Sequence, residues 1–298
     1  MKVNLKIFTL FIVFWFTNFY GIIRHDVAIQ KHTDLANESR FDCVGQLMVN
    51  NEPKSTCFAI SDLYIITAAH NLYDVKLKED SIIQNGMKMI VYNETDTREL
   101  NPKEIKIQFH KNTFEVDSIL IHPSYNGLEE KTIGIDIAII KLKNPIKIAI
   151  EYPKINALNN ELNSTVIGVG YGVFGVGNSP KTEIKNIKIA GFNVIDKIKN
   201  EGDCKMLLAD FDSPLKGRKF NKMGSSTPHK LEYIPSAGDS GSPLFREIDD
   251  KLEAIGVLVE SNSPKLKSFL KFGHYGTVAK WQSLAQIYDW ITTNTINT

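Results

Sequence analysis

The sequence predicts an all-β fold, and three observations carry that expectation. From residue 41 to residue 279 the chain runs as short apolar stretches, rich in Ile and Val, cut by Asn, Gly, Pro and Lys. That is the composition of strands and turns. Ile105–Phe109 and residues 184–189 alternate apolar with polar side chains, the period of a half-buried strand. Helical spacing is found near the C-terminus, where Leu284, Ile287, Tyr288 and Ile291 recur within residues 281–292.

At the N-terminus, Lys2 and Lys6 precede an almost unbroken apolar run over residues 7–16, and polar sequence begins at Arg24. This is the pattern of a secretory signal, so residues 1–21 read as a signal peptide. The stretch 7–23 contains Thr9, Thr17 and Asn18 and is short for a spanning helix. An uncleaved N-terminal membrane anchor is the alternative. Phe19-Tyr20-Gly21 lacks the usual small residue that marks a cleavage point. Residues 22–40 are polar and turn-rich and read as an N-terminal segment or propeptide. Strands are then expected at Ile65-Ile66, 89–92, Ile105–Phe109, 118–121, 137–142 and 184–189, with 150–162 as a linker. Residues 200–230, with Pro214, Gly217, Gly224, Ser225, Ser226 and Pro228, read as a long surface loop near a substrate pocket. A C-terminal α-helix over 281–292 closes the chain.

At 298 residues and 43% hydrophobic content, the chain can bury a sizeable core. A formal charge of +1 points to no nucleic-acid partner and no stable membrane partner. Cys43, Cys57 and Cys204 are an odd count, so at least one thiol is free or pairs between chains. Cys43 and Cys57 flank a turn signal, Asn50-Asn51-Glu52-Pro53, and are a disulfide candidate across a hairpin. Such a bridge needs a Cα separation of about 4.4–6.8 Å. Cys204 is expected as a free thiol in a loop.

The chemistry concentrates in three places. Gly238-Asp239-Ser240-Gly241-Ser242-Pro243 places a serine between glycines, with Thr67-Ala68-Ala69-His70 far upstream and Ile135-Asp136-Ile137-Ala138 between. A serine hydroxyl becomes a useful nucleophile when an imidazole takes its proton and a buried carboxylate orients that imidazole. Asp136 sits in an apolar strand, where a carboxylate is costly unless bonded. The glycines leave backbone N–H groups able to approach a developing oxyanion.

In the order His70, Asp136, Ser240, these motifs resemble the chymotrypsin-fold (trypsin-like) serine protease family. Several flanks extend the likeness: Ile121-His122-Pro123-Ser124-Tyr125, Val169-Gly170-Tyr171-Gly172, residues 254–259, and Tyr275-Gly276-Thr277-Val278. Ser242 and Cys43-Val44-Gly45-Gln46-Leu47 are similar to the secreted V8-like branch. The resemblance covers residues 41–292 and implies two six-stranded antiparallel β-barrels, at about 41–148 and 160–280, followed by the helix. It implies a secreted serine endopeptidase acting on protein or peptide substrates, without metal or organic cofactor. It assigns Ser240 as nucleophile, His70 as general base, Asp136 as orienter, and the N–H groups of Gly238 and Ser240 as the oxyanion hole.

Further assignments follow from the same likeness. Asp239 matches the carboxylate that pairs with a newly exposed N-terminal amine, although no Ile-Val-Gly-Gly activation sequence is present and Ile22-Ile23 is the nearest substitute. Ile234 matches the floor of the primary specificity pocket, with Val259, Glu260, Ser261 and Gly273 on its walls. A non-acidic floor argues against Arg or Lys at P1, and Leu258 stands where Glu-specific V8-like enzymes use histidine, so an apolar or small P1 residue is expected. Asn71 occupies the place where the family commonly has a disulfide-forming cysteine. A catalytically silent homologue acting as a binding protein is the alternative function. An esterase with a G-x-S-x-G elbow fails on chain order, which there runs Ser, Asp, His.

Overall fold

A computed structural model describes residues 20–84, 87–127, 134–177, 182–183, 187–215, 221, 223–224, 227–262 and 275–295. Most of the expected signal peptide therefore lies outside the described residues. Among the described residues no helix is long and apolar enough to cross a membrane.

The chain opens with β1 (Tyr20–Ile23) and α1 (Ile29–Ala36). Then come β2 (Val44–Val49), β3 (Glu52–Ala59), β4 (Tyr64–Thr67), a long hairpin β5 (Tyr73–Gln84) and β6 (Met87–Glu99), β7 (Ile105–Phe109), β8 (Asn112–Ile121) and β9 (Ala138–Leu142). Strands β2-β3-β4-β9-β8-β7 close into a six-stranded barrel, as expected. Its first hairpin turns on Asn50 and Asn51, both at positive φ (53° and 68°), the conformation a two-residue hairpin loop demands and asparagine tolerates.

The second half begins with β10 (Lys154–Ile155), β11 (Thr165–Gly170), β12 (Val173–Val176), β13 (Thr182–Glu183), β14 (Ile189–Val194), β15 (Lys197–Glu201) and β16 (Cys204–Asp210). It ends with β17 (Tyr233–Ile234), β18 (Pro243–Ile248), β19 (Lys251–Asn262), β20 (Val278–Ser283) and α2 (Tyr288–Thr295). Strands β14-β11-β18-β19-β20-β16-β15 form one curled sheet whose two edge strands do not pair with each other among the described residues. With the closed barrel and the C-terminal helix, this curled half-barrel fits the all-β architecture expected from the sequence. The Asn193 side chain spans part of the opening, donating to the carbonyls of Asp210 (3.0 Å) and Tyr233 (3.1 Å). A separate sheet, β13-β12-β1-β17, inserts the N-terminal strand beside Tyr233–Ile234. The two halves pack through a shared aromatic core, in which Phe245 of β18 meets Phe58 of β3 edge-on at 6.2 Å.

Several expectations are corrected. Cys43, Cys57 and Cys204 are all free and buried, so no Cys43–Cys57 bridge is present. The hairpin register explains it: Gly45 faces Cys57, and Ala59 bonds back to Cys43. Cys43 is thus diagonal to Cys57, and diagonal partners sit about 7–8 Å apart, beyond disulfide reach. Cys204 opens strand β16 rather than lying in a loop, and the apolar run 204–210 falls inside the segment read as surface loop. Residues 22–40 hold a strand and a helix whose Ile22, Ile23, Leu35 and Ala36 are buried. Of the strand expected at 184–189, residues 184–186 lie outside the described residues; a strand runs over Ile189–Val194, where Gly191 interrupts any hydrophobic alternation. A Cβ there would meet Tyr233 Cβ at 2.3 Å, so packing imposed the glycine that hid the strand. The C-terminal helix starts at Tyr288, after Trp281 has been used in β20, while Leu284, Ile287 and Ile291 are buried as their spacing predicted.

Candidate active site

His70 lies in a single 3-10 turn, Ala69–Leu72, directly after β4. The small, fully buried Ala68 and Ala69 let this turn fold tightly against the barrel. Asp136 immediately precedes β9, between the buried Ile135 and Ile137, and is only 1% exposed. Both its carboxylate oxygens are engaged by His70: Oδ1 accepts from the backbone N–H at 2.9 Å, and Oδ2 lies 2.6 Å from Nδ1. In the tautomer that donates from Nδ1, Nε2 carries the lone pair, which suits a general base. The pair of bonds also satisfies a carboxylate that would otherwise be costly to bury.

Ser240 stands in the turn before β18. Its backbone oxygen accepts from Thr56 N–H at 3.1 Å and from Asn71 Nδ2 at 2.9 Å. These bonds tie the Ser240 turn to β3 and to the residue after His70. Gly238 and Gly241 have φ of 86° and 83°, the left-handed region that glycine enters without cost. At Gly241 a Cβ would also lie 2.2 Å from Thr67 Oγ1, so the turn can sit this close to β4 only without a side chain.

Around these glycines the turn is held by Asp239 N–H to Ser236 O, Ser242 N–H to Asp239 O, and Gly241 N–H to Leu258 O. Among the described residues neither the Gly238 nor the Ser240 N–H is engaged in a hydrogen bond, so both donors are available to an incoming oxyanion. The Ser240 hydroxyl is likewise unbonded among them; contacts of this kind commonly tighten only when substrate is present.

Asp239 is 1% exposed, and its carboxylate contacts Gly172, Tyr233 and Ser236. Burial pushes its carboxyl up to about 6, against hydrogen bonds from Ser236 N–H, Tyr233 Oη and Gly172 N–H that favour the anion. Ile234 is fully buried in a cluster with Ile22, Phe211, Leu258 and Tyr275. Val259 is buried at 8% exposure, while Glu260 and Ser261 pair by backbone register with Lys280 and Ala279. Gly273 lies outside the described residues.

The structure therefore brings together His70, Asp136, Gly238 and Ser240. Sequence reasoning missed Thr56, Thr67 and Tyr233 as supports; nothing local marks them, because each acts across more than one strand. Asn71 stood out only as a departure from a cysteine. Among the described residues no group of three or more His, Cys, Asp or Glu side chains is arranged to hold a metal ion. Residues 31–282 match the family model described as Trypsin. No curated protein matches the chain.

Proposed function

Since the chain belongs to the trypsin family, whose members are serine-protease hydrolases, we propose that it is a secreted serine endopeptidase using His70, Asp136 and Ser240. The observation that carries this reading is the doubly bonded His70–Asp136 pair, with the Ser240 backbone tied to the same turn through Asn71. Ser240 Oγ attacks the scissile carbonyl carbon, and its proton passes to His70 Nε2. The developing oxyanion is received by the N–H groups of Gly238 and Ser240. Collapse of the tetrahedral species breaks the C–N bond, and His70 returns the proton to the departing amine. Water, deprotonated by His70, then hydrolyses the acyl-enzyme and restores Ser240. Asp136 stays ionised and stabilises the imidazolium.

The fully buried, uncharged Ile234 supports an apolar or small P1 residue, because it offers a cationic side chain no charge to pair with. The basic start and apolar run of residues 1–16 support secretion.

The test is labelling with a fluorophosphonate probe beside a Ser240→Ala control. Labelling that disappears in the control supports the reading. Absence of labelling, both in the intact chain and after limited proteolysis, would overturn it in favour of a binding-only homologue.

A further inference from the structure

The carboxylate of Asp239, between the two oxyanion donors, is saturated by the protein's own groups. Oδ1 accepts from Gly172 N–H at 2.7 Å; Oδ2 accepts from the Tyr233 hydroxyl at 2.8 Å and from Ser236 N–H at 2.9 Å. No cation contacts it among the described residues. The seat is shaped for these two side chains. A Cβ on Gly170 or Gly172 would lie 2.1 or 2.2 Å from the Asp239 oxygens. A Cβ on Gly168 would lie 2.9 Å from the Tyr233 ring, and one on Gly191 2.3 Å from Tyr233 Cβ. Four glycines on β11, on β14 and in the turn after β11 thus make room for the Tyr233–Asp239 pair.

Because Asp239 lies between Gly238 and Ser240, whatever fixes its side chain also sets the direction of the N–H groups on either side. The family resemblance gives that task to an N-terminal ammonium, which requires a cut chain. Here a neutral phenol, held on β17, occupies the position of partner. We propose that Tyr233 is a positioning residue that fixes Asp239 in the uncut chain, so that the Gly238–Ser240 turn holds its oxyanion-binding form without a newly made N-terminus. This rests on the peptidase reading above. The rival partner is an amine released by processing near β1, since Tyr20 of β1 pairs with Val173, whose carbonyl accepts from Ser236 Oγ.

The experiment uses the full chain with a tag fused ahead of Met1, its integrity established by intact mass, so that no free amine lies near Asp239. Fluorophosphonate labelling and peptide hydrolysis are measured for wild type and Tyr233→Phe. The expected result is an active uncut wild type, and a Tyr233→Phe variant whose kcat is lower by about 10²-fold, the cost of losing one oxyanion donor, with KM within about threefold. Thermal melting of the variant establishes that it is folded; if it is not, the tagged wild type alone decides. Activity gained only after clipping overturns the inference and leaves the peptidase reading standing. Undiminished kcat in folded Tyr233→Phe also overturns the inference alone. Silence of the wild type before and after clipping overturns both.

Discussion

The Asn71 carboxamide donates to the backbone oxygen of Ser240 at 2.9 Å, joining residues 169 positions apart in sequence. The same Nδ2 donates to Thr67 Oγ1 at 3.0 Å, and that hydroxyl donates to Thr56 O at 2.9 Å. Thr56 N–H returns to Ser240 O at 3.1 Å, closing a buried ring of hydrogen bonds. Where the sequence has Asn71 in place of a cysteine, its amide fastens the His70 turn to the Ser240 turn.

Asn71→Ala should therefore lower both stability and turnover. Removing the donor takes one of the two hydrogen bonds from Ser240 O and the bond to Thr67 Oγ1, at about 0.5–1.5 kcal/mol each, and loosens Ser240 relative to His70. Denaturant midpoints and steady-state kinetics read the two effects; kcat should fall while KM moves little. A variant with wild-type kcat would show that Thr56 alone suffices.

Asp136→Asn should preserve the fold and remove most of the activity. The amide can bond His70 while favouring the wrong tautomer, leaving Nε2 protonated and unable to act as base. A loss of about 10⁴-fold in kcat is expected, as in the Ser-His-Asp template. A loss below tenfold, measured on a sample with an unchanged melting temperature, would remove Asp136 from the mechanism.

Stability should fall as pH rises from about 7 to about 9. Burial raises the Asp212 carboxyl from 3.8 to about 7 and the Glu232 carboxyl from 4.5 to about 9, with neighbouring carboxylates acting in the same direction. Below that window Asp239, raised to about 6, acts in the same direction, while His32, His122 and His229, lowered by burial, act in the opposite one. Across it the folded chain holds more protons than the unfolded one, so raising the pH favours unfolding. Urea midpoints at several pH values measure the slope. Glu232→Gln should flatten its upper end, and an unaltered slope there would acquit Glu232.

The three thiols should behave as inert core groups. Burial pushes Cys43 up to about 12 and Cys204 up to about 11, and raises Cys57 further, so little thiolate exists near neutral pH. A thiol reagent should react with none in the native protein and with three after denaturation, and a reductant should leave the melting temperature unchanged. Fewer than three in denatured, unreduced protein would mean that a disulfide forms.

The proposed site motifs stood out because they are local: His70, Asp136 and Ser240 each sit in a short segment, and the structure puts His70 against Asp136 and ties Ser240 to Asn71. Fold class was legible for the same reason, through period-two runs such as Ile105–Phe109. Ile189–Val194 escaped because Gly191 serves Tyr233, a residue 42 positions away. The strand Cys204–Asp210 escaped because it is buried along nearly its whole length and so lacks the alternation that marks a half-buried strand.

By itself, then, the sequence determined which groups were available for catalysis and that strands would carry them. Tertiary structure alone decided that the second sheet curls into a half-barrel, that Cys43 and Cys57 sit diagonally and unbridged, and that Asn71 bonds Ser240 and Tyr233 bonds Asp239. The physical reason is that hydrogen bonds and steric fits between distant segments depend on register and approach distance, which residue identity along one segment does not contain.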